Sequence, residues 1–263
     1  MKYLDFLDLV HDKILSTEID THPFPHLMFK VDSDKLDFTQ AKYNIMNTAS
    51  GRVISNFNIN SNEALSNKIQ IIGDSIKDRF NVKLPAPRNK NEILKYTQYS
   101  ELWEDSHELD IQEIHLDYLL KPNLDKDGVP LETVEINDST QTVYSMHIYI
   151  PDDNTHADLG TRLYSEPSYD SVKHIRPLVN TNNSHDYMKH LCVPCDPPIN
   201  INGIIYKPYE VFMNREKVIP YQHGYVFIHK TTPNSWHSAP KVPEGYIRKS
   251  IMTRWDYTLM VPK

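Results

Sequence analysis

The stretch IQEIHLDYLL, residues 111–120, places His115 and Asp117 two positions apart inside an otherwise apolar run. Two apart on a helix is nearly opposite sides, whereas two apart on a strand is the same face. Read as a strand, Glu113, His115 and Asp117 line one side, and Ile114, Leu116, Tyr118 and Leu120 line the other. A polar face backed by a core-facing one predicts β structure here.

The pattern extends downstream. Segments 110–120, 141–150 (QTVYSMHIYI), 159–164, 203–213, 224–229 and 246–258 are short and rich in aromatic and β-branched residues, which predicts successive strands of a sandwich or barrel. Upstream of about residue 95 the periodicity is helical: residues 3–16 and Ser61 to Phe80 read as amphipathic helices. Between them HPFPHLMFKV (22–31) reads as a strand, followed by a short helix opening at Asp32 or Ser33. The expectation is one domain over 1–263, mainly β, with a helical support region to about 95 and a jelly-roll core over about 96–260. Polar insertions at 121–140 and 165–202 interrupt the strands.

Composition narrows the function classes. At 263 residues with 39% hydrophobic and 24% charged residues, the chain is an ordinary globular protein able to bury a full core. A net charge of -7 argues against a nucleic-acid backbone as partner. The N-terminal stretch is broken by Asp5, Asp8, His11 and Asp12, unlike a signal peptide, and no run is long enough for a membrane span. Two cysteines make no disulfide framework, so a cytoplasmic location is expected.

The chemistry-bearing residues recur at set places. TPNSWHSAP places His237 soon after the strand-like GYVFIH, and eleven positions later GYIRKSIM supplies Arg248 and Ser250. Two imidazoles and one carboxylate on a rigid β scaffold can occupy one face of an octahedral Fe(II), leaving three positions open.

The order His115-Leu-Asp117, His237, Arg248-Lys249-Ser250 resembles the 2-oxoglutarate- and Fe(II)-dependent oxygenases, built on a double-stranded β-helix, and within them the prolyl-4-hydroxylase-like branch. HPFPHLMFKVDSDKLD (22–37), IYIPDD followed by LGTRLY (148–164) and PNSWHS (233–238) are similar to that branch as well. The resemblance implies His115, Asp117 and His237 as catalytic metal ligands. It implies Arg248 as the partner of the distal carboxylate of 2-oxoglutarate, with Ser250 and Tyr149 as further hydrogen-bonding groups and Leu163 packed along the co-substrate. A guanidinium suits that task because its planar fork meets a carboxylate in a bidentate way. The implied reaction couples oxidative decarboxylation of 2-oxoglutarate to hydroxylation of an unactivated C–H in a peptidyl side chain, an amino acid or a small metabolite, with ascorbate as a reductant. The intact carboxylate of Asp117 fits hydroxylation, demethylation or desaturation, and not halogenation.

Two alternatives stay open from the residues alone: a cupin-like metalloprotein that does not use 2-oxoglutarate, and a non-catalytic jelly-roll binding module. Neither a nucleic acid nor a membrane is expected as partner. Other motifs read as structural. His156-Ala157-Asp158 sits in a polar connection, and His229 lies nineteen positions before Arg248, too far for the third ligand, so it reads as a surface or strand-end residue. HDYMKHLCVPC (185–195) crowds His185, His190, Cys192 and Cys195 too closely for a zinc site, and NLDKDGVPLETVE (123–135) lacks a carboxylate at the twelfth calcium-loop position.

Overall fold

Two helices cover one side of a β sandwich because each carries a single apolar stripe. In the computed structural model, α1 (Tyr3–Ser16) buries Tyr3, Phe6, Leu7, Val10 and Ile14, and α2 (Glu63–Arg79) buries Leu65, Ile69, Ile72 and Ile76. The structure describes residues 1–33, 35–39, 43–46, 51–57, 59–82, 93–108, 112–115, 141–165, 199–201, 204–206, 214–232 and 235–260. Asn62 caps α2, its side chain accepting from Leu65 N–H at 3.1 Å. α1 has no such side chain; instead Tyr3 N–H donates to Asp37 O at 2.9 Å.

That contact overturns the short helix expected at Asp32 or Ser33. Among the described residues, 32–39 contain no helix. Their backbone groups are engaged elsewhere: Asp37 N–H donates to Met1 O, and Lys2 bridges Asp37 in parallel. A helix would take those groups back into its own ladder.

The strands are β1 (His26–Lys30), β2 (Tyr43–Met46), β3 (Arg52–Phe57), β4 (Ile93–Asp105), β5 (Gln112–His115), β6 (Gln141–Tyr149), β7 (Arg162–Ser165), β8 (Ile199–Ile201), β9 (Ile204–Tyr206), β10 (Asn214–Val218), β11 (Tyr225–Lys230), β12 (His237–Ala239) and β13 (Arg248–Met260). A large antiparallel sheet has the order β1-β11-β6-β13-β4-β3-β2, a small one β10-β7-β12-β5, and β8-β9 form a separate pair. Eight strands, β4 to β7 and β10 to β13, form the core. Counted in chain order, the first pairs with the eighth, the second with the seventh, the third with the sixth and the fourth with the fifth. That nesting defines a jelly roll, the double-stranded β-helix architecture. Among the described residues no ladder joins the two sheets, so the layers face each other without closing into a continuous barrel.

Alternation along the large sheet decides what each face carries. Leu102, Met146, Ile148, Val226, Ile228, Ile251 and Trp255 pack with the helices in the main apolar cluster. Gly73 on α2 makes room for Trp255, since a Cβ there would lie 2.2 Å from the indole nitrogen. The opposite face meets the small sheet through Tyr149, Leu163, Phe227 and Tyr221. Among the described residues no helix is long and apolar enough to cross a membrane.

Candidate functional site

The small sheet brings the two halves of the sequence motif together. β12 lies between β5 and β7, and His237 is in register with His115 on one side and with Leu163 on the other. Directly opposite positions on neighbouring antiparallel strands share a face, so these three positions form one row across the sheet. A bulge separates the His237 pair from the Ala239–Gln112 pair. For His115 the description covers the backbone alone, and Asp117 lies outside the described residues, as do the insertion 121–140, most of the insertion 165–202 and the Cys192/Cys195 segment.

His237 is 5% exposed, and its Nδ1 lies 2.8 Å from Ser235 O. A carbonyl oxygen only accepts, so Nδ1 carries the proton and Nε2 holds the lone pair. This is the second-sphere arrangement that prepares a histidine for metal ligation. The ring of His229 stands against it, centroids 4.9 Å apart and planes inclined at 60°. His229 is therefore no surface residue: it is fully buried on the face of β11 that meets the small sheet, with Nε2 2.7 Å from Ser145 Oγ.

The large sheet supplies the second part of the site. Ser250 is in register with Tyr149 of β6 and Trp103 of β4, and Arg248, two residues earlier on the same face, is in register with Asp105. Arg248 and Ser250 are both buried. Arg248 Nη2 lies 2.9 Å from Asp105 Oδ2, while its Nε is buried with no hydrogen-bond partner among the described residues. Such a donor costs about 1–3 kcal/mol if nothing meets it. An anion beside it would remove that cost.

Tyr149 is buried, and its hydroxyl accepts from Thr161 N–H at 2.9 Å and shares a hydrogen bond with Thr161 Oγ1 at 2.6 Å. Burial pushes its phenol above the ordinary value, so it stays protonated at neutral pH. Thr161 reaches this place because Gly160 lets two backbones touch: a Cβ there would sit 1.6 Å from Ile219 O, and Ile219 N–H donates to Thr161 O. Tyr221 performs a similar service for β13, its hydroxyl accepting from Lys249 N–H at 2.6 Å between Arg248 and Ser250. Leu163 is fully buried in the same inter-sheet cluster as Tyr149.

Sequence reading missed Asp105, Thr161 and Tyr221. Asp105 ends KYTQYSELWED, whose apolar residues Tyr96, Tyr99, Leu102 and Trp103 do not alternate; Thr161 and Tyr221 carry no local signal either, because their roles arise from loops meeting in space. His156 is half-buried against Tyr246 and Asp158 is exposed, as expected for a turn.

The residues present fit the implied groups: a tautomer-fixed histidine opposite a second histidine position suits a divalent metal, and a buried arginine with an unmet donor suits a carboxylate. No protein-family model matches the chain, and no curated protein matches it in sequence. Solved structures similar to it are HygX from Streptomyces hygroscopicus with nickel and 2-oxoglutarate bound (9% identity, 88% of this chain and 82% of that one, TM-score 0.42), a Pseudomonas putida prolyl-4-hydroxylase (10%, 95% and 98%, TM-score 0.40), and a Trichoplax adhaerens prolyl hydroxylase in complex with a hypoxia inducible factor peptide fragment (11%, 96% and 89%, TM-score 0.38).

Proposed function

We propose that this chain is an Fe(II)- and 2-oxoglutarate-dependent dioxygenase that hydroxylates an unactivated C–H of a peptidyl side chain, an amino acid or a small metabolite. The observation that supports it most is the register that sets His237 opposite His115, with the tautomer of His237 fixed by Ser235 O. His115, Asp117 and His237 would hold the metal. Arg248 would take the distal carboxylate of 2-oxoglutarate through its unmet Nε, with Ser250 and Tyr149 beside it.

When bound, the metal would activate O2, the oxidant, with 2-oxoglutarate giving up two electrons as it loses CO2 and the substrate C–H giving up the other two. The chain's own part is orientation and exclusion. Ser235 O holds the His237 ring through Nδ1, which leaves the lone pair on Nε2. Leu163, Phe227 and Tyr221 form an apolar wall between the sheets that keeps water from the co-substrate. The His-Asp-His set with an arginine for a dicarboxylate favours this reading over a cupin-like enzyme without 2-oxoglutarate, and the pairing of the His237 position with the His115 position favours it over a binding module with structural histidines. Its location would be cytoplasmic.

Calorimetry with Mn(II)-loaded protein tests it. Micromolar 2-oxoglutarate binding that disappears in His237→Ala is expected, with succinate formation under Fe(II) and ascorbate as a second readout. Loaded wild-type protein that binds no 2-oxoglutarate refutes the reading.

A further inference from the structure

Behind Arg248 lies a row of alternating charge that the reading above does not use. Arg52 of β3, Asp105 of β4 and Arg248 of β13 occupy register positions directly opposite one another across three neighbouring strands. Opposite positions share a face, so the three side chains lie side by side. The Asp105 carboxylate is fully buried. Its Oδ1 accepts from Arg52 Nε at 2.6 Å and its Oδ2 from Arg52 Nη2 at 3.3 Å, while Arg248 Nη2 lies 2.9 Å from the same Oδ2. Arg52 in turn is stacked over the Trp103 ring, 4.1 Å from its centroid.

The arrangement is asymmetric in a way that matters. Arg52 meets Asp105 with the whole Nε/Nη2 edge of its fork, the geometry that locks a carboxylate in plane. Among the described residues Arg248 is touched at one corner only, and its Nε is unmet. Trp103 therefore fixes Arg52, Arg52 fixes Asp105, and Asp105 fixes the rotation of the Arg248 fork while leaving other donors for a ligand. With one carboxylate between two guanidiniums, the row keeps a positive charge beside the anion site.

We infer that Asp105 is a positioning residue for the co-substrate: by holding the Arg248 fork at one depth between the sheets, it sets the length of the 2-oxo dicarboxylate the site accepts. This rests on the proposed function and deepens it. A long, flexible arginine held by nothing could follow a carboxylate placed one methylene nearer or farther. Held by the row, it meets only the five-carbon acid with good geometry. Arg52 acts one step further back, through Asp105.

The test is the ratio of affinities for 2-oxoglutarate and its one-methylene-longer homologue 2-oxoadipate, measured by calorimetry on the full chain loaded with Mn(II). Wild-type protein is expected to favour 2-oxoglutarate clearly, and Asp105→Asn to shrink that preference about tenfold, which corresponds to about one powerful hydrogen bond's worth of discrimination. Arg52→Gln, which leaves the Asp105–Arg248 pair in place, is expected to shrink it about threefold, and it decides the matter should Asp105→Asn fail to fold. A residue that only stabilised the fold would weaken both acids together and lower the melting temperature without moving the ratio. Ratios within twofold of wild type in the folded variants overturn the inference while wild-type binding of 2-oxoglutarate upholds the proposed function. Wild-type protein that binds neither acid overturns both.

Discussion

The two faces of the large sheet are made by the same strands and do opposite things. Along β13, Ile251 and Trp255 point to the helices, and Arg248, Ser250 and Met252 point to the small sheet. Both faces are buried at the centre. The helix side is mainly apolar, with hydroxyl groups such as the Ser100–Thr253 pair within it; the inter-sheet side holds buried histidine, aspartate and arginine, groups that a core chosen for stability alone would replace with apolar ones. The contrast separates what holds the molecule together from what it is for.

Trp255→Ala strikes the helix side where it is densest. The side chain is fully buried, 5.2 Å from the Tyr144 ring and pressed against Gly73. A loss of about 3–5 kcal/mol is expected in urea denaturation, as for other large aromatic truncations. The protein that remains folded should bind 2-oxoglutarate as tightly as wild type; a large change in that affinity would mean the two faces are not separable.

A smaller perturbation on the inter-sheet side should reverse the balance. Thr161→Val keeps the shape and removes the hydroxyl that meets Tyr149 at 2.6 Å. Only about 1 kcal/mol of stability should go, since Thr161 N–H still reaches the phenol oxygen. Binding of 2-oxoglutarate should weaken several-fold, because the ring loses the partner that sets its hydroxyl. Unchanged binding with a large drop in stability would assign Thr161 to packing.

The smallest effect concerns pH at the edge of the inter-sheet layer. His26 is fully buried; burial, and then the Lys217 ammonium, hold its imidazole below the ordinary value, while its Nδ1 lies 2.9 Å from Phe24 O. The unfolded chain takes up this proton near about pH 6.5 and the folded one resists it. Stability from this residue is complete above that value and declines as pH falls through it towards the lower folded value. Asp20 nearby is shifted down, first by its hydrogen bond from Lys217, so its contribution fades only below the usual carboxylate range. Melting temperature should therefore drop less between pH 7 and 5.5 in His26→Gln than in wild type. Equal drops would place the acid sensitivity elsewhere.

The difference between the faces also explains what was legible in the sequence. α1, α2, β6, β11 and β13 are visible because each announces its own period: apolar stripes at helical spacing, or aromatic and β-branched runs. β10, NREKV, is charged and β12 has three residues, so their places come from partners far along the chain rather than from composition. The β2–β3 pair was hidden in a region read as helical, because RVISNF of β3 does not alternate in sequence: Val53 is exposed, and Ser55 and Phe57 are buried. At the site, His237 and Arg248 were singled out by their spacing and Leu163 by the family resemblance, whereas Asp105 went unnoticed and His229 was read as a surface or strand-end residue. A buried aspartate is indistinguishable from a surface one until the strand opposite brings its arginine, and the burial of His229 depends on a second sheet that no local pattern specifies.

The nesting of first strand with last has a consequence for how the protein is made. β13 is hydrogen-bonded along its length between β4 and β6, and it leaves the ribosome after every other described strand. Until it arrives, β4 and β6 have no strand between them and present unpaired edges across the middle of the sheet, the kind of surface that invites association with other chains. Arg248 and Ser250 arrive with it, after the histidine positions of β5 and β12. Pairings of such high contact order fold slowly. Between synthesis of β12 and docking of β13 those two edges stay open to other chains.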